Sequence, residues 1–158
     1  MKRLGRVAAA VGGALFVALF LTFLVQIAAR FGWQRPLAWT DELAVILYVW
    51  VILWAAAFMV PEHEHVVFDL LWNRASPRGR RLMRLAEHLM MGGLALVAIP
   101  ASWDYVAFMA REGTPVLGIP FMWVFLPLVI LLVALVLRSV IVIANLVRGR
   151  DDQTSSPG

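Results

Sequence analysis

The chain contains no cysteine. Disulfide frameworks, zinc clusters of cysteine, iron–sulfur sites and thiol nucleophiles are therefore excluded. Charge is scarce as well. Asp, Glu, Lys and Arg make up 15% of the 158 residues, where an ordinary soluble domain has about a quarter. Histidine occurs only at positions 63, 65 and 88. No internal repeat of the kind that marks a solenoid is present. Apolar residues fill the chain instead, at 62%, and the mean hydropathy is +0.82. That balance excludes a soluble enzyme, a disordered linker and a coiled coil. It places one domain in a lipid bilayer.

A bilayer core of about 30 Å needs roughly 20 apolar residues in a helix, and the sequence offers four such stretches. The first, 7–29, is uncharged and spans about 34 Å as a helix. Lys2, Arg3 and Arg6 precede it and Arg30 follows. It exceeds the roughly 7–15 apolar residues of a signal peptide, so a retained anchor is expected. The second, 43–60, follows Trp39, with Thr40 as a candidate cap and Asp41 and Glu42 in the first turn, where the helix dipole favours negative charge. The third, 82–103, is expected to start near Ser76 as N-cap with Pro77 at the first helical position, and to kink at Pro100. The fourth, 120–147, is approached through Gly118 and Pro120, and Pro127 is expected to bend it. Residues 148–158 read as a polar tail. Between spans two and three, residues 66–73 carry a wide apolar arc with Asp69 and Asn73 on the narrow polar side. This pattern suits a short amphipathic helix lying in the membrane interface. The fold class expected is all-α, with four transmembrane helices, one interfacial helix and a single membrane domain over 1–147.

The net charge is +4 and the sequence pI about 10.6, yet the basic residues flank apolar runs. The basicity is read as topology, not as affinity for nucleic acid. Lys2, Arg3, Arg6, Arg74, Arg78, Arg80, Arg81, Arg84, Arg138, Arg148 and Arg150 fall on one side of a four-span chain. Only Arg30, Arg35 and Arg111 fall on the other. By the positive-inside rule both termini are cytoplasmic.

No span carries an ionisable residue at mid-membrane, where an ion-coupled transporter needs one. Thr22, Gln26, Ser102 and Asn145 sit near span ends. An autonomous pump is therefore disfavoured. His63 and His65 end span two and His88 begins span three. Histidines on neighbouring helices could hold a b-type haem, so a haem-bearing or plain membrane anchor of a redox enzyme is the alternative reading. Glu87 and His88 stand where span three enters lipid, within a turn of Arg84. They either snorkel toward headgroups or meet a polar patch on a partner. Gly5, Ala9 and Gly13 form a small-residue stripe on span one that suits close helix packing. Of seven tryptophans, Trp33, Trp39, Trp72, Trp103 and Trp123 suit interfacial belts. Trp50 and Trp54 lie deeper, one turn apart, facing lipid or a helix.

Three segments resemble a known family. Trp39-Thr40-Asp41-Glu42-Leu43-Ala44 is similar to the W-x-[DE]-E-L start of span two in small permease subunits of tripartite ATP-independent periplasmic (TRAP) transporters. Trp50 falls where that family often has a tryptophan. His65-Val66-Val67-Phe68-Asp69-Leu70-Leu71 resembles its H-x-x-x-D-L-L segment, and Thr114-Pro115-Val116-Leu117-Gly118-Ile119-Pro120 resembles the approach to its last span. The likeness covers roughly residues 5–147. It departs at Trp54-Ala55-Ala56-Ala57, where the family commonly has a glycine, and at Pro61-Glu62-His63-Glu64, where basic residues are frequent. The resemblance implies an inner-membrane subunit that packs against a large permease subunit. A periplasmic substrate-binding protein would deliver an organic acid, and an ion gradient would drive uptake. It implies no enzyme activity, cofactor, catalytic group or metal in this chain. Trp39, Asp41, Glu42, His65, Asp69, Glu87 and His88 are the expected partner-contact or structural residues, with membrane lipid as the remaining partner.

Overall fold

The computed structural model describes residues 2–32, 37–59 and 76–148. Over these the chain is all-α, with no strand. The helices are α1 (Lys2–Gly32), α2 (Ala38–Phe58), α3 (Pro77–Phe108) and α4 (Phe121–Val147), with a single 3₁₀ turn at Met109–Arg111. Each of the four α-helices is long and apolar enough to cross a membrane. Their outward faces stay apolar: Phe16, Phe20, Leu94 and Val97 are all exposed. A helix that is apolar all round yet uncovered by its own chain suits lipid rather than water. The interfacial helix expected over 66–73 lies outside the described residues.

Two compact units are present. The first holds Met1–Val60 and Pro100–Leu131, the second Pro61–Ile99 and Leu132–Gly158. In the first, α1 packs along α2. The α1 face turned inward carries Ala8, Gly12, Leu15, Leu19, Thr22, Gln26 and Ala29, all buried or half-buried. Their spacing alternates four and three, the 3.5-residue period that keeps one seam facing a neighbouring helix. Gly12 lets the two helices approach closely there. A Cβ at that position would lie 2.7 Å from Met59 Sδ and 3.4 Å from Trp54 Cδ1. Thr22, within the apolar run of α1, satisfies its hydroxyl on its own helix by donating to the Ala18 carbonyl at 2.8 Å, as hydroxyls do where water is absent. The small stripe Gly5–Ala9–Gly13, which suits packing within the bundle or on a partner, is exposed, with nothing within 4 Å of a Cβ at Gly5 or Gly13. Small residues recur on two adjacent faces of α1, and the face that also carries Leu19 and Thr22 is the one covered.

In the second unit Ser76 caps α3 as expected, its Oγ accepting from Gly79 N at 3.2 Å. His88, Gly92 and Ala95 form the buried face of this part of α3. A Cβ at Gly92 would stand 2.6 Å from Ser139 Cβ, so bare backbone lets α4 approach. The Arg81 guanidinium donates to the Leu146 carbonyl in the last turn of α4. Such terminal carbonyls have no partner within the helix, and a cation there also interacts favourably with the negative end of the helix dipole.

Candidate functional site

The residues with unusual chemistry gather at the start of α2. The helix begins at Ala38, with Leu37 as its N-cap and no side-chain cap. Thr40 is therefore not the cap the sequence suggested. It lies inside the first turn, fully buried, with its hydroxyl donating back to Leu37 O at 2.7 Å. As consecutive helical residues, the two neighbouring carboxylates point in different directions. Asp41 accepts from the Gln26 side-chain amide, joining α2 to the far end of α1. Glu42 reaches the loop that precedes α4. Its Oε1 accepts from Val116 N and its Oε2 from Leu117 N, each at 2.8 Å, and the Thr114 hydroxyl also bonds to it.

That loop is built to present these amides. Gly113 and Pro120 face one another as an antiparallel bridge, and Phe121 N donates to Glu112 O at 3.0 Å. Thr114 N donates to Ile119 O at 2.9 Å and Gly118 N to Thr114 O at 3.0 Å. Ile119 N donates to Thr114 Oγ1, also at 3.0 Å. Gly118 has φ +63°, a left-handed conformation that costs a residue bearing a Cβ. Pro115 and Pro120 have no N–H to place. Two consecutive amides then point at one carboxylate, a charge-assisted pairing that fixes the loop to α2.

A second tie runs through the tryptophans. Pro127 lies inside α4 and cannot donate to the carbonyl four residues back. That carbonyl belongs to Trp123, and Trp50 Nε1 of α2 donates to it at 3.0 Å. One turn on, Trp54 Nε1 donates to Ala8 O of α1, also at 3.0 Å. Tyr105 and Phe125 add an edge-to-face contact between α3 and α4, with ring centroids 5.5 Å apart. Within this unit α2 is thus the hub: it holds α1 through Asp41 and Trp54, α4 through Trp50 and the loop through Glu42.

The expected site residues divide accordingly. Trp39, Asp41 and Glu42 share the start of α2, with Trp39 and Asp41 exposed and Glu42 half-buried. Glu87 and His88 belong to the second unit, Glu87 half-buried and His88 buried, with His88 Nδ1 unpaired. His65 and Asp69 lie outside the described residues, as do His63 and Trp33. Among the described residues no group of three His, Cys, Asp or Glu could hold a metal ion. Gln26, Thr114, Gly12 and Gly92 were not singled out as site residues from sequence. For Trp50 the available signal was Pro127, which announces an unpaired carbonyl at Trp123.

The clasp formed by Glu42 on the Val116 and Leu117 amides joins two of the three segments that carry the family resemblance, the start of α2 and the Thr114–Pro120 loop. Residues 19–149 match the family model of tripartite ATP-independent periplasmic transporters, DctQ component. The chain belongs to that family. It is a family of transporter components and not of enzymes, and with four apolar helices its member here is a multi-pass membrane protein. Among related proteins, the sialic acid TRAP transporter permease protein SiaT of Haemophilus influenzae is 32% identical over 91 residues, 58% of this chain and 15% of SiaT. A putative TRAP transporter small permease protein of the same species is 25% identical over 100 residues, 63% of this chain and 62% of the relative. The C4-dicarboxylate TRAP transporter small permease protein DctQ of Vibrio cholerae is 27% identical over 88 residues, 56% of this chain and 38% of the relative. The chain thus spans less than two thirds of each of these relatives.

Proposed function

We propose that this chain is the small membrane subunit of a TRAP-type uptake system for organic acids in a bacterial inner membrane, with both termini cytoplasmic. It packs against a large permease subunit and braces it in the bilayer. The large subunit binds the substrate, receives it from a periplasmic binding protein and moves it with an ion gradient. The observation that carries this reading is the family match over residues 19–149. The absence of ionisable residues from the middle of the described spans supports a structural part rather than a substrate path. The clasp supports it too, since α2 ties its neighbours through fixed hydrogen bonds, as a scaffold requires. Trp39, Asp41, Glu42, His65, Asp69, Glu87 and His88 are assigned to structure or partner contact, none to catalysis.

The test is purification of the tagged chain from its native membrane in mild detergent and in native lipid. A large polytopic permease is expected in near-equal amount, and Glu42→Ala and His65→Ala are expected to lower its recovery and organic-acid uptake together. A solitary chain in native lipid would overturn the reading. Wild-type recovery and uptake in both variants would remove those two residues from it.

A further inference from the structure

The tip of the loop before α4 leaves apolar side chains exposed: Val116 is 53% exposed and Leu117 37%. Its depth is set by its attachment. Both amides of the tip are held by Glu42, the last charged residue before the uncharged run that starts at Leu43. The tip is therefore held level with the point where α2 enters hydrocarbon. Exposed tryptophans flank that level in the same unit, Trp39 on the first turn of α2 and Trp123 on the first turn of α4, where interfacial indoles belong.

The backbone suits the same surroundings. An irregular segment near hydrocarbon must satisfy its own N–H groups. From Thr114 to Phe121 each one is satisfied. Thr114, Gly118 and Phe121 donate to loop carbonyls, Ile119 to the Thr114 hydroxyl, Val116 and Leu117 to Glu42, and the two prolines have none. Glu42 thereby removes two polar donors from a tip whose side chains are apolar. The carbonyls at the tip remain available to the hydrated headgroup zone.

We infer that Val116 and Leu117 form a lipid anchor, seated among phospholipid headgroups and upper acyl chains, and that Glu42 makes this possible by holding their amides. The anchor concerns depth in the membrane and does not depend on the transport reading. The test places the photoreactive residue p-benzoylphenylalanine at position 116 of the full chain in its native membrane. After irradiation the chain is recovered and analysed by mass spectrometry. A phospholipid adduct as the main product is the expected result, and its loss with Glu42→Ala would tie the anchor to the clasp. If that variant does not accumulate, Glu42→Gln, which keeps one acceptor oxygen, is expected to give a reduced adduct. A main product joined to another polypeptide would overturn the inference in favour of a protein contact. An unmodified chain would overturn it in favour of a tip in water.

Discussion

At the scale of single residues, the molecule resolves main-chain problems with side chains drawn from other helices. Pro127 leaves the Trp123 carbonyl without its usual donor, and Trp50 provides one at 3.0 Å. Removing the indole leaves that carbonyl without a donor from the protein. Trp50→Phe is expected to destabilise the protein by about 0.5–1.5 kcal/mol, the net worth of one hydrogen bond. Pro127→Ala restores an N–H four residues on and should make the Trp50 donor dispensable. The double variant is then expected to lose less than Trp50→Phe alone. Unfolding by graded addition of sodium dodecyl sulfate in mixed micelles, followed by helicity, measures all three variants. Strict additivity would show that the two residues do not serve the same carbonyl.

At the scale of elements, two glycines allow close helix contacts for different reasons. A Cβ at Gly12 would meet the thioether of Met59 at 2.7 Å, the far end of a flexible side chain. At Gly92 it would meet Ser139 Cβ at 2.6 Å, fixed to the α4 backbone. Gly12→Ala is expected to be near neutral, since Met59 can swing aside and alanine gains about 0.5–1 kcal/mol of helix preference over glycine. Gly92→Ala is expected to lose about 1–3 kcal/mol net through overpacking. The same unfolding measurement ranks them, and equal losses would refute the distinction. The elements themselves were legible: uncharged apolar runs gave four helices, and Ser76-Pro77 gave the start of α3. The seam of α1 was not, because glycine and alanine recur on two neighbouring faces and only the partner helix selects one. Thr40 misled because a hydroxyl three residues before an apolar run suits a cap, while Leu37 begins the helix earlier. The acidic pair at 41 and 42 was legible as a site, but not its partners. Glu42 binds main-chain amides 74 and 75 residues away, and main-chain groups leave no mark in a side-chain pattern.

At the scale of the whole molecule, the four spans make a statement about sides that the missing cysteines render simple to check. Arg78 opens α3 and Glu112 follows it, both exposed. One span separates them, so they are expected on opposite faces of the membrane. Arg78→Cys and Glu112→Cys, each the sole cysteine of the chain, can be exposed to a membrane-impermeant maleimide in cells with a permeabilised outer membrane. Glu112→Cys is expected to react before lysis of the inner membrane and Arg78→Cys only after it. The reverse order would invert the assigned orientation, and labelling of both before lysis would contradict a spanning α3. The clasp has a different consequence for how such a chain can drift over generations. Apart from the Thr114 hydroxyl, Glu42 reads the path of the loop and not its side chains, so substitutions at 116 and 117 among apolar types leave the contact intact. Positions 42, 115 and 118, which set the acceptor and the path, have no such latitude. Statistical coupling between aligned columns would therefore register no link between Glu42 and the two residues that it holds, although they touch.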